Sequence, residues 1–127
     1  MVVKLVDTSV AVDHLRGHAP ATALLEDVIR RQERLLSSEV VRFEVLAGVR
    51  PSDEDRVEDF CRALDWLPVT EAVTREAAVL ARRYRGSHGG IDDVDYLLGA
   101  TARLVGADLL TTKVRHFPML EGLRAPY

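Results

Sequence analysis

An acidic residue directly after the first apolar segment is the first candidate for chemistry. Residues 2–6 form a short and nearly continuous apolar run that is typical of a buried parallel strand, and Asp7 follows it. Parallel α/β sheets bind ligands at the carboxyl ends of their strands, so Asp7 lies where such a site is expected. Because Asp7-Thr8-Ser9 is also a good helix start, capping of that helix explains Asp7 equally well.

Glu44 is a second candidate because its helical neighbours are apolar or small. It lies in a helix predicted to begin after Ser38 and to stop at Gly48. Positions 40, 41, 47 and 48, three and four residues away, carry valine, alanine or glycine. A carboxylate on a face that packs against a sheet needs a partner, either an arginine or a cation. We therefore expect Glu44 to point inward, close to the end of a strand.

The third candidate, Asp95, belongs to an acidic cluster at the start of another predicted helix. Negative charge at a helix N-terminus complements the helix dipole, which explains Asp92, and in part Asp93, without a functional role. Asp95 differs from them because Leu98 and Gly99, three and four residues on, place it on the small and apolar face of the helix. Asp95 is therefore predicted to point toward the protein interior.

Three inward carboxylates from separate segments repel one another unless a proton or a cation neutralises them. At about 5 Å and an effective dielectric of about 20, each pair costs roughly 3 kcal/mol. A hard divalent cation with all-oxygen ligands removes this cost, and the sequence has no Cys/His set for zinc. A divalent cation beside a phosphodiester activates water and stabilises charge on the phosphoryl oxygens. The three acids therefore predict metal-dependent hydrolysis of a phosphodiester.

The segments that position these acids alternate between strand and helix patterns. Such an alternation predicts a parallel sheet covered by helices, and Pro68 predicts an edge strand. The expected strands lie at residues 2–6, 35–36, 66–69 and 109–112. The expected helices begin at Asp7-Thr8-Ser9 and cover residues 21–32, 38–47, 51–64 and 70–84, and a last helix starts at Asp92 or Asp93 and runs to Val105. The tail from Lys113 is expected to be irregular.

Length and composition limit the chain to one domain with one core. It has 127 residues, of which 47% are hydrophobic and 29% are charged, and 17 basic against 20 acidic residues give a net charge of −3. This charge argues against nucleic-acid binding by bulk electrostatics, but a nuclease can concentrate acids where a metal binds. No apolar run approaches the about 20 residues of a membrane span and no signal-peptide pattern is visible, so we expect a cytoplasmic protein. The single cysteine, Cys61, excludes an intramolecular disulfide.

Taken together, these segments resemble the PIN domain, and specifically the VapC-type ribonuclease toxins of bacterial toxin–antitoxin pairs. Each matching piece is short, and the specificity comes from their order and spacing along nearly the whole chain. The matching pieces are Val6-Asp7-Thr8-Ser9-Val10, Ser38 to Gly48 with Phe43-Glu44-Val45-Leu46-Ala47-Gly48, Ile91 to Ala102, Leu110-Thr111 and His116-Phe117.

The resemblance implies a single three-layer α/β/α sandwich over residues 1–127 with a central parallel sheet. It implies an endoribonuclease site that uses Mg²⁺ or Mn²⁺, and a homodimer inhibited by a cognate VapB-type antitoxin in a heterotetramer or a larger assembly. Carried over position by position, Asp7, Glu44 and Asp95 match the three main acids of the family and Asp93 matches an accessory acid. All four are candidate catalytic and metal-binding residues.

Lys113 departs from the family pattern. Two residues beyond the threonine that matches Thr111, family members often carry Asp or Asn, and a lysine there cannot ligate a metal ion. It can instead contact the scissile phosphate, weaken metal binding, or limit a second metal site. Candidate substrate-binding residues are accordingly Thr8, Ser9, Thr111, Lys113 and Arg115, whereas His116 is expected to be structural.

Two other functions remain open from the sequence. A receiver-type phospho-signalling domain is also a small α/β fold with an Asp after its first strand and late Thr and Lys residues, but its paired acids are missing here because Thr8 and Ser9 follow Asp7. A PIN-like module that has lost its activity and only binds RNA or an antitoxin is the other alternative, and Lys113 is its main support.

Overall fold

The computed structural model describes all 127 residues as four strands, six α-helices and two short 3₁₀ turns. The strands are β1 (Val3–Val6), β2 (Arg34–Ser38), β3 (Asp65–Leu67) and β4 (Asp108–Leu110). The α-helices are α1 (Thr8–Leu15), α2 (Ala19–Arg30), α3 (Glu39–Ala47), α4 (Glu54–Ala63), α5 (Glu71–Tyr84) and α6 (Asp93–Val105), and the 3₁₀ turns are Pro51–Asp53 and Val114–His116.

The four strands form one parallel sheet in the order β3-β2-β1-β4, flanked by the helices. The predicted α/β/α class with a parallel sheet is thus confirmed. Strand β1 is paired on both sides, and its residues Leu5 and Val6 are completely buried. Strand β3 lies at an edge and ends directly before Pro68, as the missing amide hydrogen of proline requires.

Several boundaries differ by one to three residues from the sequence-based expectation. Strand β3 ends before Pro68 and Val69, α2 begins and ends two residues earlier than expected, and β2 is longer than residues 35–36.

Two further differences concern the last strand and the helix expected over residues 51–64. The last strand ends at Leu110, and Thr111 and Thr112 lie beyond it. The hydroxyl of Thr111 and the backbone amide of Thr112 donate hydrogen bonds to side chains and not to a neighbouring strand. The helix expected over residues 51–64 begins as a 3₁₀ turn at Pro51–Asp53 before α4 starts at Glu54. Both differences are local, and neither changes the order of the elements.

The C-terminal segment, which carries the late polar residues, is anchored in the core. Phe117 and Met119 are 1% and 5% exposed and pack with the main apolar cluster. Gly99 in α6 allows this approach, because a Cβ atom at that position would lie 2.9 Å from the sulfur of Met119. The turn Val114–His116 directly before Phe117 is thereby held against α6. None of the helices combines the length and the apolar character that a membrane span requires.

Gly106 ends α6 in the left-handed region, with φ of 66°, and the chain enters β4 two residues later. Because an L-residue is strained in this conformation, Gly106→Ala is expected to lower the free energy of unfolding by about 1 kcal/mol. Gly86→Ala is the matched control, since Gly86 has neither a positive φ nor a neighbour within 4 Å of the added Cβ. Urea denaturation of both variants checks this, and equal stabilities would contradict the assignment.

Candidate active site

Asp7 is buried at the carboxyl end of β1, where donors from two segments hold it. Its side chain is 1% exposed, and its Oδ1 accepts a hydrogen bond of 2.7 Å from the backbone amide of Thr8. Its Oδ2 accepts from the hydroxyls of Ser9, at 3.0 Å, and of Thr111, at 2.6 Å. Thr111 reaches Asp7 because β4 pairs with β1 and ends one residue before it. Three donors therefore compensate for the loss of water around this carboxylate.

Asp95 is the second buried carboxylate and lies in the first turn of α6. It forms a capping box with Asp92, in which each side chain accepts a hydrogen bond from the backbone amide of the other residue. The Nδ1 atom of His116 lies 2.8 Å from Asp95 Oδ2, and the Nζ atom of Lys113 lies 3.6 Å from Oδ1. Burial raises the pKa of Asp95, although His116 and Lys113 oppose this by favouring the charged form.

Glu44 is linked to Asp7 through one residue. Its Oε1 accepts a hydrogen bond of 2.6 Å from the hydroxyl of Thr8, and the amide of the same threonine donates to Asp7. Glu44 is half-buried, and no protein donor contacts its second oxygen, Oε2. The residue thus points toward the end of β1, as expected, but one oxygen stays available to a ligand.

Lys113 brings a positive charge among these acids. Its burial favours the neutral form, yet the negative charges of Asp7, Asp95, Asp92 and Glu44 outweigh that effect and raise the pKa of Lys113 above its ordinary value. These carboxylates from β1, α3 and α6 therefore lie within electrostatic reach of one ammonium group. The candidate site is the set Asp7, Glu44, Asp95 and Lys113 at the carboxyl edge of the sheet.

The donor chemistry of the site fits a hard divalent cation. Its acidic side chains offer only oxygen atoms, and Asp7 and Asp95 form a pair of buried carboxylates whose excess negative charge already attracts Lys113. No three His, Cys, Asp or Glu side chains converge closely enough in this structure to hold a metal ion. Fewer protein ligands suffice for Mg²⁺, which keeps several of its waters and is commonly bound through one or two carboxylates.

The remaining predicted site residues differ in their placement. Asp93 is exposed, and its carboxylate accepts a hydrogen bond of 2.8 Å from Arg85 rather than joining the buried acids. Arg115 is exposed on the turn after β4. Thr111 is completely buried, so its hydroxyl acts on Asp7 and not on the open face of the site. Ser9 donates to Asp7 and accepts from the amide of Thr112.

The contact between His116 and Asp95 is the feature that sequence reasoning missed. The two residues are 21 positions apart and belong to different elements, and no local pattern joins them. The contact forms because Phe117 is buried and Met119 packs closely against Gly99, which together hold the turn Val114–His116 against α6. A tertiary contact of this kind leaves no periodic signal in the sequence.

Thr111→Val tests whether the buried Asp7 depends on its hydroxyl donor. Loss of the Thr111 hydroxyl leaves one buried carboxylate oxygen with a single donor, so the free energy of unfolding is expected to fall by about 1–3 kcal/mol. Thr101→Val is the control, because the equally buried hydroxyl of Thr101 bonds only the carbonyl of Leu97 in its own helix, and its loss should cost less than about 1 kcal/mol. Urea denaturation measures both, and a Thr111→Val protein no less stable than Thr101→Val would refute this role.

Relatives of known name align with the chain over nearly its whole length. Ribonuclease VapC19 of Mycobacterium tuberculosis is 57% identical over 124 residues, which cover 98% of this chain and 99% of the relative. Ribonuclease VapC10 of the same organism is 37% identical over 123 residues, which cover 97% and 92% of the two chains. These alignments include every residue of the candidate site.

Solved structures share the fold. A chain of a toxin–antitoxin complex from Klebsiella pneumoniae superposes with a TM-score of 0.82 at 22% identity, covering 98% of both chains. A chain of DNA-bound VapBC from Salmonella typhimurium gives a TM-score of 0.82 at 16% identity, covering 98% of this chain and 97% of the other.

The family match decides between the folds that the sequence left open. The model of the PIN-domain family matches residues 4–118, which run from β1 through the turn after β4. This match and the VapC relatives exclude the receiver-domain alternative and confirm the resemblance seen in the sequence. The chain belongs to the PIN-domain family, within its VapC group.

Proposed function

We propose that this protein is a metal-dependent endoribonuclease and the toxin of a type II toxin–antitoxin pair. The observation that carries the proposal is the pair of buried carboxylates, Asp7 and Asp95, beside the half-buried Glu44 at the carboxyl edge of a parallel sheet. Buried carboxylates are costly for folding, so two of them at the same edge of the sheet call for a functional reason. The names of the VapC relatives support ribonuclease activity.

The metal of this site is Mg²⁺, with Mn²⁺ able to replace it. When bound, such a cation activates water and stabilises the negative charge that develops on the phosphoryl oxygens. Asp7 and Asp95 would be the principal ligands, because they are the two buried carboxylates at this edge of the sheet. Glu44 contributes its free Oε2 either as a ligand or by orienting the attacking water. Asp93 is an accessory acid that must first release Arg85.

The hydrogen-bonding residues of the site hold the carboxylates in place. Thr8 ties Glu44 to the start of α1, and Ser9 and Thr111 fix the orientation of Asp7. Lys113 and Arg115 follow β4 at the same edge of the sheet and supply positive charge toward the scissile phosphate. The three hydroxyl residues thereby act on substrate mainly through the acids that they position.

A groove beside Glu44 offers a path for a single RNA strand. It has a volume of about 440 Å³ and lies among α1, α3 and α4. Arg16, Arg50 and Arg56 line it together with Glu44, and Arg50 is paired with Asp53. Arginines placed along a groove that leads to the acids favour phosphate groups there, even though the whole chain carries a net charge of −3.

The partners of the protein are a VapB-type antitoxin and a second copy of the chain. Solved structures that share the fold are complexes of this kind, a toxin–antitoxin complex from Klebsiella pneumoniae and DNA-bound VapBC from Salmonella typhimurium. Exposed apolar side chains on α3 support an interface, since Phe43 is 69% exposed and Leu46, one turn later, is 39% exposed. Assembly with the antitoxin as a heterotetramer or larger in the cytoplasm agrees with an RNA substrate and with the single cysteine.

A PIN module that binds RNA or antitoxin without cutting is the alternative. One observation favours it, namely that Lys113 lies 3.6 Å from Asp95 and competes with a metal ion for that carboxylate. The alternative predicts a folded protein that binds RNA but leaves it intact with every divalent metal.

Incubation of purified, antitoxin-free protein with total RNA and Mg²⁺ or Mn²⁺ is expected to give discrete fragments. Asp95→Asn should reduce the cleavage rate by at least about a hundredfold, and EDTA should abolish cleavage, because both remove the charge that stabilises the transition state. Gel analysis of the fragments measures both effects.

Asp108→Asn is the matched control, because Asp108 is an exposed acid at the amino end of β4 that pairs with Lys4. It should cut RNA at the wild-type rate. The nuclease assignment is wrong if Asp95→Asn cleaves like Asp108→Asn, or if the folded wild-type protein cuts no RNA with either metal.

A further inference from the structure

The chain has two lysines, and they lie at opposite ends of the sheet. Lys4 is near the amino end of β1, and its Nζ atom lies 3.0 Å from the exposed carboxylate of Asp108. Lys113 follows β4 at the carboxyl end, and its Nζ atom lies 3.6 Å from the buried carboxylate of Asp95. Only Lys113 therefore has a buried acid as its partner.

The backbone of Lys113 is held so that its side chain stays near the acids. Its amide donates a hydrogen bond of 3.0 Å to the hydroxyl of Thr111, which in turn donates to Asp7. The turn Val114–His116 follows directly, and His116 contacts the other oxygen of Asp95. The backbone of Lys113 is thus held on both sides, at a point from which its Nζ atom reaches Asp95.

The charges of the site are balanced by one divalent cation and one ammonium group. Asp7, Glu44 and Asp95, the buried and half-buried acids of the site, carry three negative charges when ionised. Asp92 adds a fourth charge that is exposed to solvent, and the charge of Asp93 is paired with Arg85. A single divalent ion together with Lys113 neutralises the first three charges. Two divalent ions in the presence of Lys113 would leave an excess of positive charge in a partly buried place, which is unfavourable at low effective dielectric.

We propose that Lys113 is a resident cation of the acidic site, which takes the place of a second divalent ion and limits the protein to one metal ion per chain. It does so by occupying Asp95 Oδ1, so that the metal ion is held by Asp7, Glu44 and the other carboxylate oxygen of Asp95. The inference rests on the proposed metal dependence and adds the number of ions and the residue that sets it.

Mn²⁺ titration by calorimetry, in the absence of RNA, tests this inference. The wild-type protein should bind one Mn²⁺ per chain. Lys113→Met keeps an unbranched side chain of similar size but removes its charge, and it should bind either a second ion or the first ion at least about fivefold more tightly. Lys113→Arg keeps the charge and should bind one ion as the wild type does.

Lys4→Met is the matched control, because it removes the other lysine from the far end of the sheet. It should bind one Mn²⁺ with the affinity of the wild type. Thermal unfolding supplies a second readout: in EDTA, Lys113→Met should unfold at a lower temperature than the wild type, since Asp95 loses a counter-charge, and Mn²⁺ should restore more stability to this variant than to the wild type.

Two Mn²⁺ ions in the wild type would overturn the inference, whether or not Lys113→Met folds. An affinity gain below about fivefold without a second ion, or a Lys113→Met protein as stable as the wild type in EDTA, would overturn it as well. None of these results bears on RNA cleavage, so the proposed nuclease would stand. Absence of any Mn²⁺ binding would instead overturn both proposals.

Discussion

The burial of two carboxylates at one edge of the sheet is the constraint on which the rest of the structure depends. Asp7 and Asp95 are almost without solvent contact, and unpaired charges in that position would oppose folding by several kcal/mol. Donors from α1, from the segment after β4 and from the turn before Phe117 therefore converge on them. The parallel pairing of β1 with β4 brings these donors together, so the strand pairing that forms the sheet also forms the site.

The charge of the site is local and does not appear in the composition. Half of the ion pairs of the protein join residues three or four positions apart on the surface, such as Arg42 with Glu39, and such pairs contribute little to stability. Lys113 with Asp95 is different because the carboxylate is buried. A chain with a modest net charge of −3 can accordingly hold an acidic metal site and an arginine-lined groove within one small domain.

The sequence predicted those features that follow from local periodicity. The inward orientation of Asp95 follows from its neighbours at three and four residues, and the sequence predicts Asp92 as a helix cap. The order of the strands cannot be predicted from periodicity and comes only from the family resemblance or the structure. Glu44 is predicted to point inward, but it is only half-buried. Its side chain extends to Thr8, from whose hydroxyl it accepts a hydrogen bond. Asp93 shares the helix start with Asp95 yet faces solvent, since the step of two positions between them rotates the side chain by about 200° around the helix axis.

Metal-dependent cleavage of RNA by this protein requires that the buried acids form one metal centre. Diffraction from crystals grown with Mn²⁺, recorded so that the anomalous scattering of manganese identifies the ion, tests this most directly. We expect a single strong anomalous peak at bonding distance from oxygen atoms of Asp7 and Asp95, with Lys113 beside it. A peak elsewhere on the protein, or none at these carboxylates at saturating Mn²⁺, would contradict it.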